Sequence, residues 1–175
     1  MGTTLVTSGI ETGTSRADER AGKYLTFRLG TEEFGIRVIQ VREIIGMQDV
    51  TRVPQTPAYL KGVINLRGKV TPVVCLRQKF GMPEVEYTAR TCIIVVQIAS
   101  EAGPVTVGAV VDGVSEVATL AASDIEDTPD FGSSVEIPYI LGMAKTKGRV
   151  RILLDIDAAL SAQDLRGLES LAKSL

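Results

Sequence analysis

The sequence contains no histidine. That absence excludes Ser-His-Asp and Cys-His triads and the commonest zinc ligand sets, leaving only chemistry run by carboxylate, lysine or thiolate. An enzyme is therefore a poor first expectation. Tryptophan is also absent, and four Tyr with four Phe are too few for an aromatic platform that stacks bases. Cys75 and Cys92 form no C-x-x-C pair; both lie in apolar runs and read as small core hydrophobes, so neither a redox motif nor a metal knuckle is expected. No run approaches the ~18 apolar residues of a membrane span. The N-terminus has neither the basic region nor the apolar stretch of a secretory signal, and Val6 stands where myristoylation needs Ser or Thr. A dominant charge is missing too: 19 basic against 21 acidic residues give a net charge of -2, which steers no nucleic acid. These absences together predict a soluble cytoplasmic protein with no cofactor or metal.

What is present is a globular composition, 45% apolar and 23% charged, on 175 residues. A chain of that length buries roughly 70% of its unfolded surface. Residues 1–21 are small, polar and aperiodic and read as a flexible tail. From Tyr24 the pattern alternates: Leu25, Phe27 and Leu29 share one face, and after a short turn Phe34, Ile36 and Val38 alternate again, a hairpin signature. Val38, Val41, Ile44 and Ile45 then recur at spacings of three, three and one, which predicts a helical turn or a bent strand with one apolar stripe. Thr56-Pro57 reads as a helix start, with Gly62 just past its end.

Residues 62–74, GVINLRGKVTPVV, place polar groups inside an apolar run. A phosphate loop is excluded by count: five residues separate Gly62 from Gly68, Val70 follows Lys69 where Ser or Thr is needed, and no helix pattern follows. The stretch instead reads as strand, turn at Arg67-Gly68, and strand, with Pro72 confining the second strand to an edge or a bulge. The second half adds CIIVVQI, VTVGAVV and DGVSEVATL, the last two joined through an Asp112-Gly113 turn, and a hairpin around Lys147-Gly148. Asp157 reads as the cap of a C-terminal amphipathic helix, 157–175, carrying Leu160, Leu165, Leu168 and Leu171. Nine or ten short strands in two sets, with little helix, predict a mainly β fold of two small barrels, because closure removes exposed edges.

The order LKGVINLRGKVTPVVCLR, VGAVVDGVSEV, YILGMAK and ILLDIDAAL resembles the CheW-like adaptors of bacterial chemotaxis and the matching regulatory domain of the CheA histidine kinase. The resemblance implies two packed five-stranded SH3-like barrels over residues 22–162, the first lobe roughly 30–88 and the second 22–29 plus 89–155. It implies no catalysis, a role coupling the chemoreceptor cytoplasmic tip to the kinase regulatory domain, and a place in membrane receptor arrays without membrane insertion. By position, Val38, Val41, Ile44 and Val114 would line a receptor groove with Glu43 on its rim, and Gly62, Asn65 and Arg67 would match the partner-binding turn. Cys75 departs from the family, which usually has Asp or Asn there.

Glu43 keeps part of the apolar stripe near water, as a docking groove requires. Arg67 suits a forked contact with a carboxylate, and Glu43 and Arg67 are expected close enough to pair or to bracket one partner. Asn65 is expected to hydrogen-bond the turn backbone. The acidic loop holding Asp124, Glu126, Asp127 and Asp130 lacks the alternate oxygens and central Gly of an EF-hand. The rival function is nucleic-acid contact by a small β-barrel, resting on Lys145, Lys147, Arg149 and Arg151; a carboxylate- or lysine-based enzyme ranks third. No receiver or kinase domain is recognisable, so a free-standing adaptor is the simplest expectation.

Overall fold

A computed structural model describes residues 19–128 and 139–160. Two mixed sheets account for most of them. One contains β1 (Gly22–Leu29), β2 (Glu32–Arg37), β8 (Gly113–Leu120), β9 (Ile125–Glu126), β10 (Ile140–Thr146) and β11 (Arg149–Leu154), in the order β8-β1-β2-β11-β10-β9. The other contains β3 (Val41–Gly46), β4 (Leu60–Leu66), β5 (Lys69–Cys75), β6 (Cys92–Ile98) and β7 (Val105–Val111), in the order β3-β6-β7-β5-β4. Short helices α1 (Leu76–Lys79) and α2 (Ile156–Ala159) follow β5 and β11. The mainly β class is as expected; the first sheet has six strands instead of five because β9 adds two residues beside β10.

The sheets divide the chain differently from the expected lobes. β2 stays with β1, and β6 and β7 join β3, β4 and β5. A tight turn keeps β2 paired with β1, whereas β6 and β7 enter the second sheet through long-range pairing of β6 with β3 and of β7 with β5. The chain crosses between sheets at the 3-10 turn Val38–Gln40 and again at Asp112, so Asp112-Gly113 is a passage from one sheet to the other and no hairpin turn.

Alternation in β1 and β2 has the predicted consequence. Leu25 faces Ile36 and Phe27 faces Phe34, and these join Leu76, Ile94, Ile98, Leu154 and Ile156 in a core cluster drawn from both sheets. At roughly 1.5–3 kcal/mol for each large apolar side chain removed from water, parting the sheets would cost as much as a typical domain's total stability of about 5–15 kcal/mol. The two sheets therefore fold as one cooperative unit. Each also keeps a small core of its own: Tyr24, Leu120, Ile125, Ala144 and Leu153 in one, Ile64, Val73, Ile93, Val95 and Val110 in the other.

The two halves repeat at an offset of 80 residues. Tyr59, Gly62, Gly68 and Val70 recur as Tyr139, Gly142, Gly148 and Val150. The repeat is structural as well: the amide of Cys75 donates to the Tyr59 carbonyl at 2.7 Å, as that of Asp155 donates to Tyr139 at 2.8 Å. Register shifts fall between Leu60 and Gly62 and between Ile140 and Gly142. Both hairpins close with two left-handed residues, Arg67 (φ 52°) with Gly68 (83°) and Lys147 (54°) with Gly148 (73°), the backbone of a type I′ turn.

Four local expectations are corrected. Thr56 starts no helix; its hydroxyl donates to the Val53 carbonyl at 2.8 Å, and only two short turns separate Val53 from β4. β5 lies between β7 and β4 despite Pro72, because parallel pairing with β7 begins only at Val73, where no proline amide is missed. Asp155, not Asp157, caps α2, accepting from the amides of Asp157 and Ala158 at 3.1 and 3.3 Å. The tail's last residues are anchored: Arg20 is buried, donates to the Leu141 carbonyl at 2.6 Å and pairs with Asp127 at 3.1 Å. Residues 1–18, Asp130 and the expected helix beyond Leu160 lie outside the described residues.

Candidate functional site

β3 and β8 are edge strands of different sheets, and both border the shared core. The spacing of three between Val41 and Ile44 is a bulge, not a helix. Val41 aligns with Val96 and Ile44 with Ile94, but between them the register slips, so two residues of β3 oppose one of β6. Side chains aligned across a sheet share a face, and Ile94 and Val96 both belong to the shared core. The bulge thus puts Val41 and Ile44 on the inter-sheet face. Val38 and Val41 are half-buried against that core, and Ile44 is 45% exposed. From the other sheet, Val114 aligns with Phe27 and packs against the same core.

Glu43 is on the opposite face from this apolar set. It aligns with Val95, a member of the second sheet's own core. Its carboxylate meets the Arg67 guanidinium in a forked pair, Nη2 to Oε1 at 2.9 Å and Nη1 to Oε2 closer still. The expected proximity of Arg67 and Glu43 is therefore present, while Glu43 as rim of the Val41 face is corrected by the parity change at the bulge. The Glu43 bonds push the Arg67 pKa further up. Asn65 does what the turn chemistry predicts: its Oδ1 accepts from the Gly68 amide at 2.8 Å.

Gly62 serves the backbone. A Cβ there would lie 2.0 Å from the Thr51 carbonyl oxygen, which accepts from the Val63 amide at 2.8 Å. Any side chain would break the isolated bridge that ties Thr51, in the segment after β3, to Val63 of β4, so this glycine serves the fold by permitting that approach. Cys75 is the N-cap of α1 with no side-chain cap bond, where its counterpart Asp155 makes two. The polar group missing at Cys75 is a helix cap.

The basic hairpin of the rival reading is spent on carboxylates. Lys145 pairs with Glu126 at 2.7 Å, Lys147 with Glu116 at 3.9 Å, Arg149 with Glu33 at 3.2 Å, and buried Arg151 with Glu33 at 2.8 Å and Glu116 at 3.1 Å. Phosphates would have to displace those partners. In the acidic loop, Asp124 accepts from the Ala121 amide and Asp127 pairs with Arg20. Among the described residues, no three His, Cys, Asp or Glu side chains gather to hold a metal.

Two polar locks at the crossings were missed from sequence. At the second, the Asp112 carboxylate accepts from Arg77 Nε at 2.8 Å, Arg77 Nη2 at 2.6 Å and the Gly30 amide at 2.6 Å. At the first, Asp157, 80 residues after Arg77, accepts from Gln40 at 3.0 Å and the Ala99 amide at 2.9 Å. Burial alone would raise the Asp112 carboxyl, but the Arg77 and Gly30 hydrogen bonds and the charges of Arg77 and Arg28 outweigh it and hold it below its ordinary 3.8. Burial pushes the Cys92 thiol up, away from thiolate chemistry. The 80-residue repeat was the available signal for these locks.

The described residues form a pair of sheets with apolar edge strands and a forked ion pair at a turn, features suited to binding. The CheW-like domain family matches residues 23–164. The chain belongs to the CheW-like family. It is 39% identical to the Chemotaxis protein CheW of Klebsiella aerogenes over 168 residues, 95% of this chain and 99% of that protein. To the Chemotaxis protein CheW of Bacillus subtilis it is 36% identical, over 81% of this chain and 88% of that one. The crystal structure of the scaffolding protein TtCheW from Thermoanaerobacter tengcongensis superposes with a TM-score of 0.68 at 30% identity, covering 77% of this chain and 89% of that one. This CheW-like chain is a chemotaxis scaffold and adaptor, not an enzyme. None of its described helices is long and apolar enough to cross a membrane.

Proposed function

We propose that the chain couples the cytoplasmic tip of methyl-accepting chemoreceptors to the regulatory domain of the CheA histidine kinase, working in the cytoplasm and reaching the membrane only through receptor arrays. The receptor helix is received along Val38, Val41, Ile44 and Val114. The observation that carries this reading is that edge strands of two different sheets, with the 3-10 turn that leads into β3, leave Val38, Val41 and Val114 half-buried over one shared core, with Ile44 exposed beside them. Apolar side chains left at such a margin suit helix-in-groove recognition, in which a partner helix covers them. The corner of Asn65, Arg67 and Gly68, held by Glu43 and by the Asn65 side chain, offers a second partner contact, with Gly62 on the same strand.

The test is a titration of isotope-labelled protein with a receptor-tip helical hairpin. Shifts concentrated at Val38, Val41, Ile44 and Val114 are expected, and Val41→Asp should abolish them while the rest of the spectrum stays dispersed. Shifts confined to Lys147 and Arg149 on adding an oligonucleotide would instead favour the nucleic-acid reading.

A further inference from the structure

A cavity of about 770 Å³ opens where the chain crosses at Asp112, and three arginines line it: Arg28, Arg77 and Arg90. Their situations differ. Arg77 is committed to Asp112 through Nε and Nη2. Arg28, on β1, and Arg90, just before β6, are exposed, and neither guanidinium has a hydrogen bond or ion pair among the described residues. Arg28 acts on Asp112 and Glu33 only through space. Against these two guanidiniums the cavity offers one uncommitted carboxylate, Glu86. The apolar share of the wall comes from Val85, Cys92 and Val114.

The cavity is continuous with the apolar margin described above. Val114 belongs to both, and Cys92 aligns with Gly46, the last residue of β3. We infer that this cavity is the charged end of the receptor-binding surface, where Arg28 and Arg90 take a carboxylate that the receptor tip carries beside an apolar side chain. The inference rests on the receptor-groove reading of Val38, Val41, Ile44 and Val114. A guanidinium presents a planar fork that matches a carboxylate with two parallel hydrogen bonds. Because both arginines are exposed, they act as rim charges, which select the partner and speed its capture more than they hold it. The apolar wall distinguishes this site from one for a free anion, since a small hydrated ion gains nothing from Val85 and Val114.

Affinity for a receptor-tip helical hairpin, measured with the full chain at low and high salt, tests this. Arg28→Glu combined with Arg90→Glu should weaken binding about tenfold at low salt and remove most of its salt dependence, whereas the paired Lys substitutions should stay within about threefold of wild type. Binding to the kinase regulatory domain and the melting temperature should not change. If the Glu pair binds receptor as wild type does while Val41→Asp does not bind, the inference is overturned and the groove reading stands. If neither variant loses affinity, the groove reading falls and takes the inference with it. Displacement of the hairpin by millimolar inorganic phosphate alone would mark the cavity as a free-anion site and would also overturn it.

Discussion

The Arg67 turn and the Lys147 turn are one design used twice. Both close with a cationic residue and a glycine in left-handed backbone, and both cations reach a glutamate, Glu43 in one case and Glu116 in the other. The difference lies behind the turn. In the first half Thr71 occupies the position that Arg151 occupies in the second, and Glu43 is left to Arg67 alone. In the second half buried Arg151 takes Glu116 and Glu33, leaving Lys147 at 3.9 Å. One half locks its charges inside the fold, and the other presents them at an exposed corner. The same scaffold thus separates a charge network around a buried arginine from a forked ion pair at an exposed turn.

The largest expected effect follows from breaking the locked half. Arg151→Ala leaves the partly buried Glu33 carboxylate with only the exposed Arg149 as an ion-pair partner among the described residues and should cost about 2–4 kcal/mol in denaturant unfolding, while Thr71→Ala at the matching position should cost about 1 kcal/mol. Equal losses would mean that the two halves do not differ as described. Next are the crossings. Arg77→Ala should cost about 2 kcal/mol because it strands the half-buried Asp112 carboxylate, and Gln40→Ala should cost about 1 kcal/mol or less because it removes only one of the neutral donors on Asp157.

These carboxylates also set a pH dependence. The hydrogen bond from Arg151, opposed by burial and aided by the charges of Arg151, Arg149 and Arg28, holds Glu33 below its ordinary 4.5, as Asp112 is held below 3.8. Groups depressed on folding add stability that is whole above the unfolded values and drains as pH falls through the lower folded ones. Acid unfolding followed by circular dichroism should therefore begin below about pH 4, and Arg77→Ala should begin to unfold at higher pH than wild type.

A smaller effect tests the helix ends. Asp155→Cys copies the first half's cap into the second and should cost about 1 kcal/mol, the worth of an N-cap side chain. The smallest effect on stability is expected at the corner. Arg67→Ala should leave the melting temperature unchanged yet lower receptor-stimulated kinase phosphorylation, and Lys147→Ala should change neither. Unaltered phosphorylation in Arg67→Ala would remove the corner from the partner surface.

Much of the strand pattern was legible in the sequence. Alternation at Leu25, Phe27 and Leu29, and the Arg67-Gly68 and Lys147-Gly148 turns, depend on neighbours in the chain, where a period of two and a left-handed pair have one reading. The Glu43–Arg67 pair was anticipated from residue type and the family resemblance. The stripe at Val38, Val41 and Ile44 was less legible, because a bulge in a strand and a helical turn can both place residues three apart on one face.

By itself, then, the sequence determined that the chain is mainly β, that histidine chemistry is absent and that two glycine-closed hairpins carry basic residues, since each follows from local composition and backbone preference. Only the tertiary structure decided the sheet to which each hairpin belongs, the face Glu43 takes, and which cations are spent. Those outcomes depend on register and on partners far along the chain: Arg28 and Arg90 stay uncommitted among the described residues, while Arg151 is claimed by Glu33, 118 residues away. Pairing between residues so distant is settled by the packing of two sheets on one core, a global condition that no local window of residues contains.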